Sequence, residues 1–161
     1  MLKRLAALWL ALIMLISLAG CGAPETAQRD AAGRGTDAQI EQIIRIDENG
    51  SYSGKDQVAL YIHTYGHLPG NYITKREAKA LGWTGGSLDP YAPGKCSGGD
   101  RFGNYEAILP EKRGRSYTEC DIDTLGAKSR GAKRIVFSND GLIYYTADHY
   151  ESFALLYGEE N

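Results

Sequence analysis

The sequence predicts an α+β domain in which N-terminal helices pack on one face of a twisted antiparallel β-sheet. Apolar residues recur with helical spacing only in the first half of the domain, and the second half offers short stretches typical of strands. This order, helices first and strands afterwards, favours segregated layers over the alternating units of a parallel sheet. A chain of 161 residues is long enough for one such domain with its own core.

The first twenty residues are predicted to be a signal peptide (1–20) and not part of the fold. A short basic start, Met1–Arg4, is followed by the apolar run Leu5–Ala19, which is too short for a confident membrane span. The run ends in Leu-Ala-Gly-Cys, which resembles a bacterial lipobox, so we predict that Cys21 is lipidated. An ordinary secretory signal with a chance cysteine is the alternative. Both predict a secreted protein, and the lipobox predicts an extracellular lipoprotein tethered to the outer face of the membrane.

Residues 21–52 are predicted to form a flexible tether to the folded domain at 53–161, because small and polar residues without periodicity predominate there. The whole chain has 18 basic and 20 acidic residues, and two of the basic ones lie in the signal. The acidic surplus lies in the tether and in the Glu159-Glu160 tail. The net charge therefore does not argue against a polyanionic ligand for the domain.

Two helices are predicted at the start of the domain. The first begins near Ser53 in a capping-box pattern, continues with apolar residues at helical spacing, and ends at Gly66. The second begins at Thr74, which pairs with Glu77 in another capping box, and ends at Gly82. Four strands are predicted to follow, near Cys96–Asp100, Ser116–Ile122, Arg134–Ser138 and Leu142–Thr146, with a tight turn at Asp140-Gly141.

The strand Ser116–Ile122 has two chemically different faces. Thr118, Cys120 and Ile122 alternate toward the core, and the other face carries a tyrosine and two carboxylates, Tyr117, Glu119 and Asp121. Basic residues lie on both sides of the strand in the sequence: Lys112, Arg113, Arg115, Lys128, Arg130, Lys133 and Arg134. The simplest interpretation is a solvated sheet face with ordinary charge pairs. A carboxylate near a histidine and several cations also suits acid–base chemistry on a phosphate.

Several motifs point to one family. His67–Lys75 reads HLPGNYITK, and Glu77–Trp83 reads EAKALGW. Together with Gly98–Asp100, the strand after Ser116 and the triplet Asp148-His149-Tyr150, they strongly resemble the barnase-like bacterial guanyl-specific ribonucleases. The agreement runs in order over residues 57–153, with one short length difference after the Ser116 strand. The resemblance implies the α+β fold described above and cleavage of RNA without a metal or another cofactor.

The resemblance also implies the roles of the site residues. Glu119 matches the base that takes the proton of the 2′-hydroxyl, and His149 matches the acid that protonates the departing 5′-oxygen. The two exchange roles when water opens the 2′,3′-cyclic phosphate. The phosphate-binding residues of the family are matched by Lys75, Arg130, Arg134 and Tyr150.

Guanine recognition is implied by the loop Phe102–Glu106, in which Phe102, Asn104 and Glu106 match the family's guanine-binding residues. A carboxylate that accepts two parallel N–H bonds suits guanine, because no other RNA base presents that donor pair. Tyr105 departs from the family, which has an arginine at this position. We expect this change to affect affinity and to leave the choice of base intact.

The implied partners are an RNA substrate and, as a candidate, an acidic barstar-like protein inhibitor. We expect a monomer that reaches the membrane only through a lipid anchor on Cys21. Two other functions are alternatives: a surface-displayed antibacterial ribonuclease toxin, and a binding module for RNA or nucleotides without catalysis. The joint presence of Glu119 and His149 argues against the second.

Cys96 and Cys120 are predicted to form a disulfide. An exported domain keeps these two cysteines, one on each of two strands that are expected to pair. Two buried free thiols are the alternative.

Overall fold

The structure is a computed structural model that describes residues 45–160, so Cys21, the signal peptide and most of the predicted tether lie outside the described residues. Within that range the helices are α1 (Lys55–Tyr65) and α2 (Lys75–Ala80), and the strands are β1 (Tyr72–Ile73), β2 (Cys96–Phe102), β3 (Tyr117–Asp121), β4 (Arg134–Ser138), β5 (Ile143–Thr146) and β6 (Ala154–Tyr157). The predicted α+β class is confirmed. None of the helices in this range is long and apolar enough to cross a membrane.

The six strands form one sheet in the order of the sequence. β1 pairs with β2 in parallel, and every later pair is antiparallel. The four predicted strands correspond to β2–β5. The short outer strands β1 and β6 were not predicted, because two to four residues give too little alternation to recognise.

The two helices differ in how they begin. The capping box predicted at Ser53 is wrong: α1 has Gly54 as its N-cap, with no side-chain cap, and the Ser53 carbonyl instead accepts from the N–H of Asp123. The capping box of α2 is confirmed. Thr74 Oγ1 accepts from the Glu77 N–H at 3.2 Å, and the Glu77 carboxylate accepts from the Thr74 N–H at 2.8 Å.

Each face of the sheet carries its own apolar cluster. One cluster joins α1 to the sheet through Val58, Ala59, Ile62, Cys120, Ile122, Ile135 and Ile143. The other contains Leu109, Tyr117, Val136, Leu142 and Tyr144. The face of β3 that carries Tyr117, Glu119 and Asp121 lies on this second side. It is not a solvated surface, because Glu119 is only 7% exposed and Asp121 only 2%. The two carboxylates must therefore find partners inside the protein.

The last residues of the predicted tether contact the domain. The Tyr65 hydroxyl donates to the carbonyl of Ile46 at 2.7 Å. The Asn71 side chain donates to the Tyr52 carbonyl at 2.9 Å and accepts from the Tyr52 N–H at 3.2 Å. The ordered domain thus starts before residue 53, and its first residues are fixed by side chains that follow much later in the sequence.

The predicted disulfide is wrong, because Cys96 and Cys120 are both buried free thiols. In the β2–β3 register Cys120 lies opposite Gly98, which places Cys96 two residues away on the diagonal. Diagonal neighbours are about 7–8 Å apart, beyond the usual reach of a disulfide. Burial raises the pKa of both thiols. Gly98 permits the close approach, since a Cβ there would lie 2.5 Å from the Cβ of Cys120.

Arg115 and Asp140 join the start of β3 to the β4–β5 turn. Arg115 Nε lies 2.9 Å from Asp140 Oδ1, and Nη2 lies 2.9 Å from Oδ2. The remaining Nη1 donates to the carbonyl of Pro110 at 3.1 Å. The arginine side chain is 4% exposed and the aspartate 34%. The pair is therefore sheltered on the arginine side and open on the carboxylate side.

The Asp140→Ala variant should unfold at a lower temperature, by about 5 °C or more, because it leaves the sheltered guanidinium without its carboxylate. Thermal unfolding followed by circular dichroism measures this. Lys133→Ala is the matched control, because its pair with Asp123 is half exposed and such pairs contribute little. Equal shifts in both variants would contradict the prediction.

The same pair gives a pH signature. The Arg115 guanidinium holds the pKa of Asp140 below its usual range. The stability that the pair contributes is therefore present above the unfolded value of about 3.9 and is lost as the pH falls below it. The difference between wild type and Asp140→Ala should disappear in that acid range.

Candidate active site

Glu119 lies on β3, one of the two central strands of the sheet, and is the centre of the candidate site. Its Oε1 accepts a hydrogen bond from Nζ of Lys75, and its Oε2 accepts one from the hydroxyl of Tyr150. A carboxylate that is ionised has only acceptors and satisfies both donors. Burial and the bond to Glu119 raise the pKa of Tyr150. Tyr150 therefore stays protonated in neutral solution and acts as the donor.

Lys75 reaches Glu119 because α2 begins at this point. Its backbone N–H donates to Oδ2 of Asp100 at 2.9 Å. A β-bulge between Gly98 and Asp100, with φ of 95° at Gly99, turns the Asp100 side chain toward the helix. A cation in the first turn is disfavoured by the helix dipole, and these two carboxylates offset that cost. Asp100 was not predicted as a site residue.

Asp121 holds the two arginines that were predicted to bind phosphate. Its Oδ2 accepts from Nε of Arg130 at 2.6 Å and its Oδ1 from Nη2 at 2.8 Å. Arg134 Nε lies 3.0 Å from the same Oδ1. The hydrogen bonds that Arg130 donates to Asp121 raise the pKa of Arg130. Sequence reasoning gave Asp121 no role, although its position two residues after Glu119 on the same strand face was a usable signal.

The two arginines differ in accessibility. Arg134 is 2% exposed, and its Nη atoms donate to the carbonyls of Lys133 and Gly131 at 2.7 and 3.1 Å. Its Nε, although close to Asp121, is not aligned for a hydrogen bond. Arg130 is 25% exposed at its side chain and lies 5.6 Å from the ring centre of Trp83. Of the two, Arg130 has the more accessible side chain, and Arg134 lies buried beside Asp121.

His149 and Tyr150 leave β5 in a strained turn. Both have left-handed backbone angles, φ 60° and 78°, which non-glycine residues seldom adopt. The Tyr150 N–H donates to Oγ1 of Thr146 at 3.0 Å. Asp148 accepts from Ser152 and from Thr146, and these hydrogen bonds lower the pKa of Asp148 to about 2. The turn leaves His149 exposed, with its ring 4.8 Å from that of Tyr150.

The loop Phe102–Glu106 is fixed at one end and open at the other. The Asn104 side chain donates to the carbonyl of Leu109 at 2.9 Å and accepts from the Leu109 N–H at 3.0 Å. Phe102 packs on Tyr150, with ring centres 5.3 Å apart. Glu106 is exposed beyond these anchors. The loop therefore presents a carboxylate from a backbone that its own side chains hold in place.

One cavity of about 480 Å³ brings the predicted catalytic and guanine-binding residues together. Its lining includes Phe102, Asn104, Glu106, Glu119, His149 and Tyr150. Lys75 does not line the cavity but donates a hydrogen bond to Glu119, which does. Arg130 and Arg134 are both paired with Asp121, and neither arginine lines the cavity. Among residues 45–160, no group of three or more His, Cys, Asp or Glu side chains could hold a metal ion.

Comparison with known proteins shows the family to which the chain belongs. The family model described as ribonuclease matches residues 55–157. A ribonuclease of Heyndrickxia coagulans is 50% identical over 101 residues, which cover 62% of this chain and 92% of that protein. A ribonuclease of Bacillus intermedius is 50% identical over 100 residues, 61% of each chain. Guanyl-specific ribonuclease St of Saccharopolyspora erythraea is 44% identical over 57 residues, which cover 35% of this chain and 56% of that protein. The chain belongs to the ribonuclease family.

Proposed function

We propose that the domain is a metal-independent endoribonuclease that cleaves single-stranded RNA after guanosine. The observation that carries the proposal is the shared cavity, in which Glu119 and His149 lie together with Glu106 on the loop. A base, an acid and a carboxylate suited to guanine are the groups that such a reaction requires.

The reaction has two steps. Glu119 takes the proton of the ribose 2′-hydroxyl, and the 2′-oxygen attacks phosphorus to form the 2′,3′-cyclic phosphate. The bond to the 5′-oxygen breaks as His149 supplies a proton to the leaving alkoxide. In the second step His149 takes a proton from water, whose oxygen attacks phosphorus, and Glu119 returns a proton to the 2′-oxygen. Lys75 and Arg130 stabilise the charge that develops on the phosphoryl oxygens.

The preference for guanosine is supported by the loop and by relatives. Guanyl-specific ribonucleases St and Sa are 44% and 39% identical to this chain over 57 and 56 residues. Asn104 holds the loop through two hydrogen bonds, so Glu106 needs little reordering to meet the base.

The test is to incubate residues 45–161 with a defined single-stranded RNA in the presence of EDTA and to map the ends. We expect fragments that end in guanosine 2′,3′-cyclic phosphate early in the reaction and in guanosine 3′-phosphate later. Cleavage that needs a divalent metal, or that shows no preference for guanosine, would contradict the proposal.

Tyr105 offers a separate test of affinity, because its side chain is 98% exposed beside Glu106. Tyr105→Arg should lower KM for RNA roughly threefold at low salt and steepen the salt dependence by about one phosphate contact. Guanosine preference should remain, since Glu106 is unchanged. Tyr91→Arg adds the same charge outside the active-site cavity and is the control. A changed base preference would show instead that Tyr105 reads the base.

We further propose that the protein acts outside the cell as a lipoprotein held by Cys21, a residue outside the described part of the chain. Expression in a bacterium should give a membrane-associated ribonuclease, and Cys21→Ser should prevent lipidation, as mass spectrometry of the N-terminus would show. A native chain that is found in the medium with an unmodified N-terminus would exclude the anchor.

A further inference from the structure

A second cavity, of about 430 Å³, adjoins the active-site cavity. The two share the residues that begin the guanine loop, Arg101, Phe102, Gly103 and Asn104. The remaining wall is formed by the segment that leads into β3: Glu111, Lys112, Arg113, Arg115, Ser116 and Tyr117. A volume of this size lies within the roughly 300–1,000 Å³ of typical small-ligand sites. We call it the basic cavity.

The basic cavity holds positive charge that the protein does not neutralise. Arg115 is occupied by Asp140. Within residues 45–160, Arg101, Lys112 and Arg113 form no ion pair within 4.0 Å, and all three are exposed. The lining contains one carboxylate, Glu111, which leaves the cations in excess. Such a concave group of unpaired cations concentrates anions from solution.

The position of the basic cavity relates it to the path of the RNA strand. In the proposed complex the guanine lies on the Phe102–Glu106 loop and the reacting 3′-phosphate lies at Glu119 and His149. An RNA strand leaves a ribose in opposite directions through the 3′ and 5′ carbons. The phosphate on the 5′ side of the guanosine therefore lies on the side of the nucleotide away from Glu119. The basic cavity begins at the residues that both cavities share, so it is a cation-lined surface beside the guanine loop that a strand continuing in that direction can reach.

We propose that the basic cavity binds the phosphate on the 5′ side of the recognised guanosine. The assignment rests on the proposed function and makes it more specific: the preferred substrate is an RNA that extends upstream of the cleaved nucleotide. Arg113 and Arg101 supply planar donor pairs that match a phosphate, and Lys112 adds a point charge. The contact is to the backbone, so it requires no particular upstream base.

The test compares two dinucleotide substrates, GpA and pGpA, which differ only in the 5′-phosphate. For the wild-type domain at low ionic strength, kcat/KM should be about fivefold higher for pGpA, the worth of one charge-assisted phosphate contact that is partly exposed. In the double variant Lys112→Gln/Arg113→Gln the ratio should fall close to one, while kcat/KM for GpA stays unchanged. Arg101 is kept because it lines both cavities.

Lys79→Gln/Lys128→Gln is the control, because it removes the same charge from residues that line neither cavity. It should keep the wild-type ratio. Equal rates for the two substrates in the wild type, or an undiminished ratio in Lys112→Gln/Arg113→Gln, would overturn the proposal. So would an equal loss in the control, because the effect would then be one of overall charge.

Two further outcomes separate this site from its alternatives. Inorganic phosphate that accelerates GpA cleavage as the attached phosphate does would show that the cavity takes a free anion, and would overturn the assignment to substrate. If the wild type cleaves neither GpA nor pGpA, the proposed function itself is overturned, and the phosphate site with it.

Discussion

Replacing His149 with alanine should lower kcat/KM for RNA by about 10²–10⁴-fold, the usual worth of a positioned general acid. Without His149 the 5′-alkoxide must leave unprotonated. The side chain is exposed and packs on the ring of Tyr150, so the fold should change little. The measurement is initial-rate cleavage of a guanosine dinucleotide, with urea unfolding as the check on stability. His67→Ala, another exposed histidine outside the active-site cavity, is the matched control.

The Glu119→Gln variant should lose a comparable factor in formation of the cyclic phosphate. Glutamine keeps the shape of the side chain and can still accept one hydrogen bond from Lys75 or Tyr150, yet it cannot take a proton. Because catalysis needs Glu119 ionised and His149 protonated, wild-type kcat/KM should fall on both sides of a pH optimum. Each variant should lose one limb of that profile. Near-native cleavage by both variants would leave the domain as a binding module.

The parts of the fold that depend on neighbours in sequence were predictable. Thr74 and Glu77 lie three residues apart and contact each other within one turn, so their capping box could be read directly. The alternation on β3 likewise requires only local geometry, and it correctly separated the Cys120 face from the Glu119 face. Local pattern misled at Ser53, whose carbonyl accepts from the N–H of the distant residue Asp123, while the cap lies one residue later at Gly54.

The features that depend on strand register were not predictable from spacing alone. The β2–β3 register, which includes a bulge between Gly98 and Asp100, sets Gly98 opposite Cys120 and leaves Cys96 two residues away, which excludes the disulfide. The same bulge aims Asp100 at Lys75. The β3–β4 register places Asp121 beside Arg134 and buries both, so the guanidinium that is predicted to bind phosphate lies next to a carboxylate inside the protein. In each case the cause is a pairing between residues far apart in sequence.

That pairing gives the largest expected effect on stability. Asp121→Ala should lower the free energy of unfolding by about 3–5 kcal/mol, because it leaves the buried charge of Arg134 and much of Arg130 without a carboxylate. Urea unfolding measures the change. Lys133→Ala, which breaks the half-exposed pair with Asp123, is the control and should cost less than about 1 kcal/mol.

A double variant distinguishes a stranded charge from simple loss of packing. If the cost of Asp121→Ala comes from the unpaired guanidinium of Arg134, then Asp121→Ala/Arg134→Met should be more stable than Asp121→Ala alone, since methionine fills much of the space without a charge. Additive losses would point instead to packing. Activity should fall in both variants even where they are folded, because Asp121 also orients Arg130, the arginine of this network that remains accessible to a phosphate.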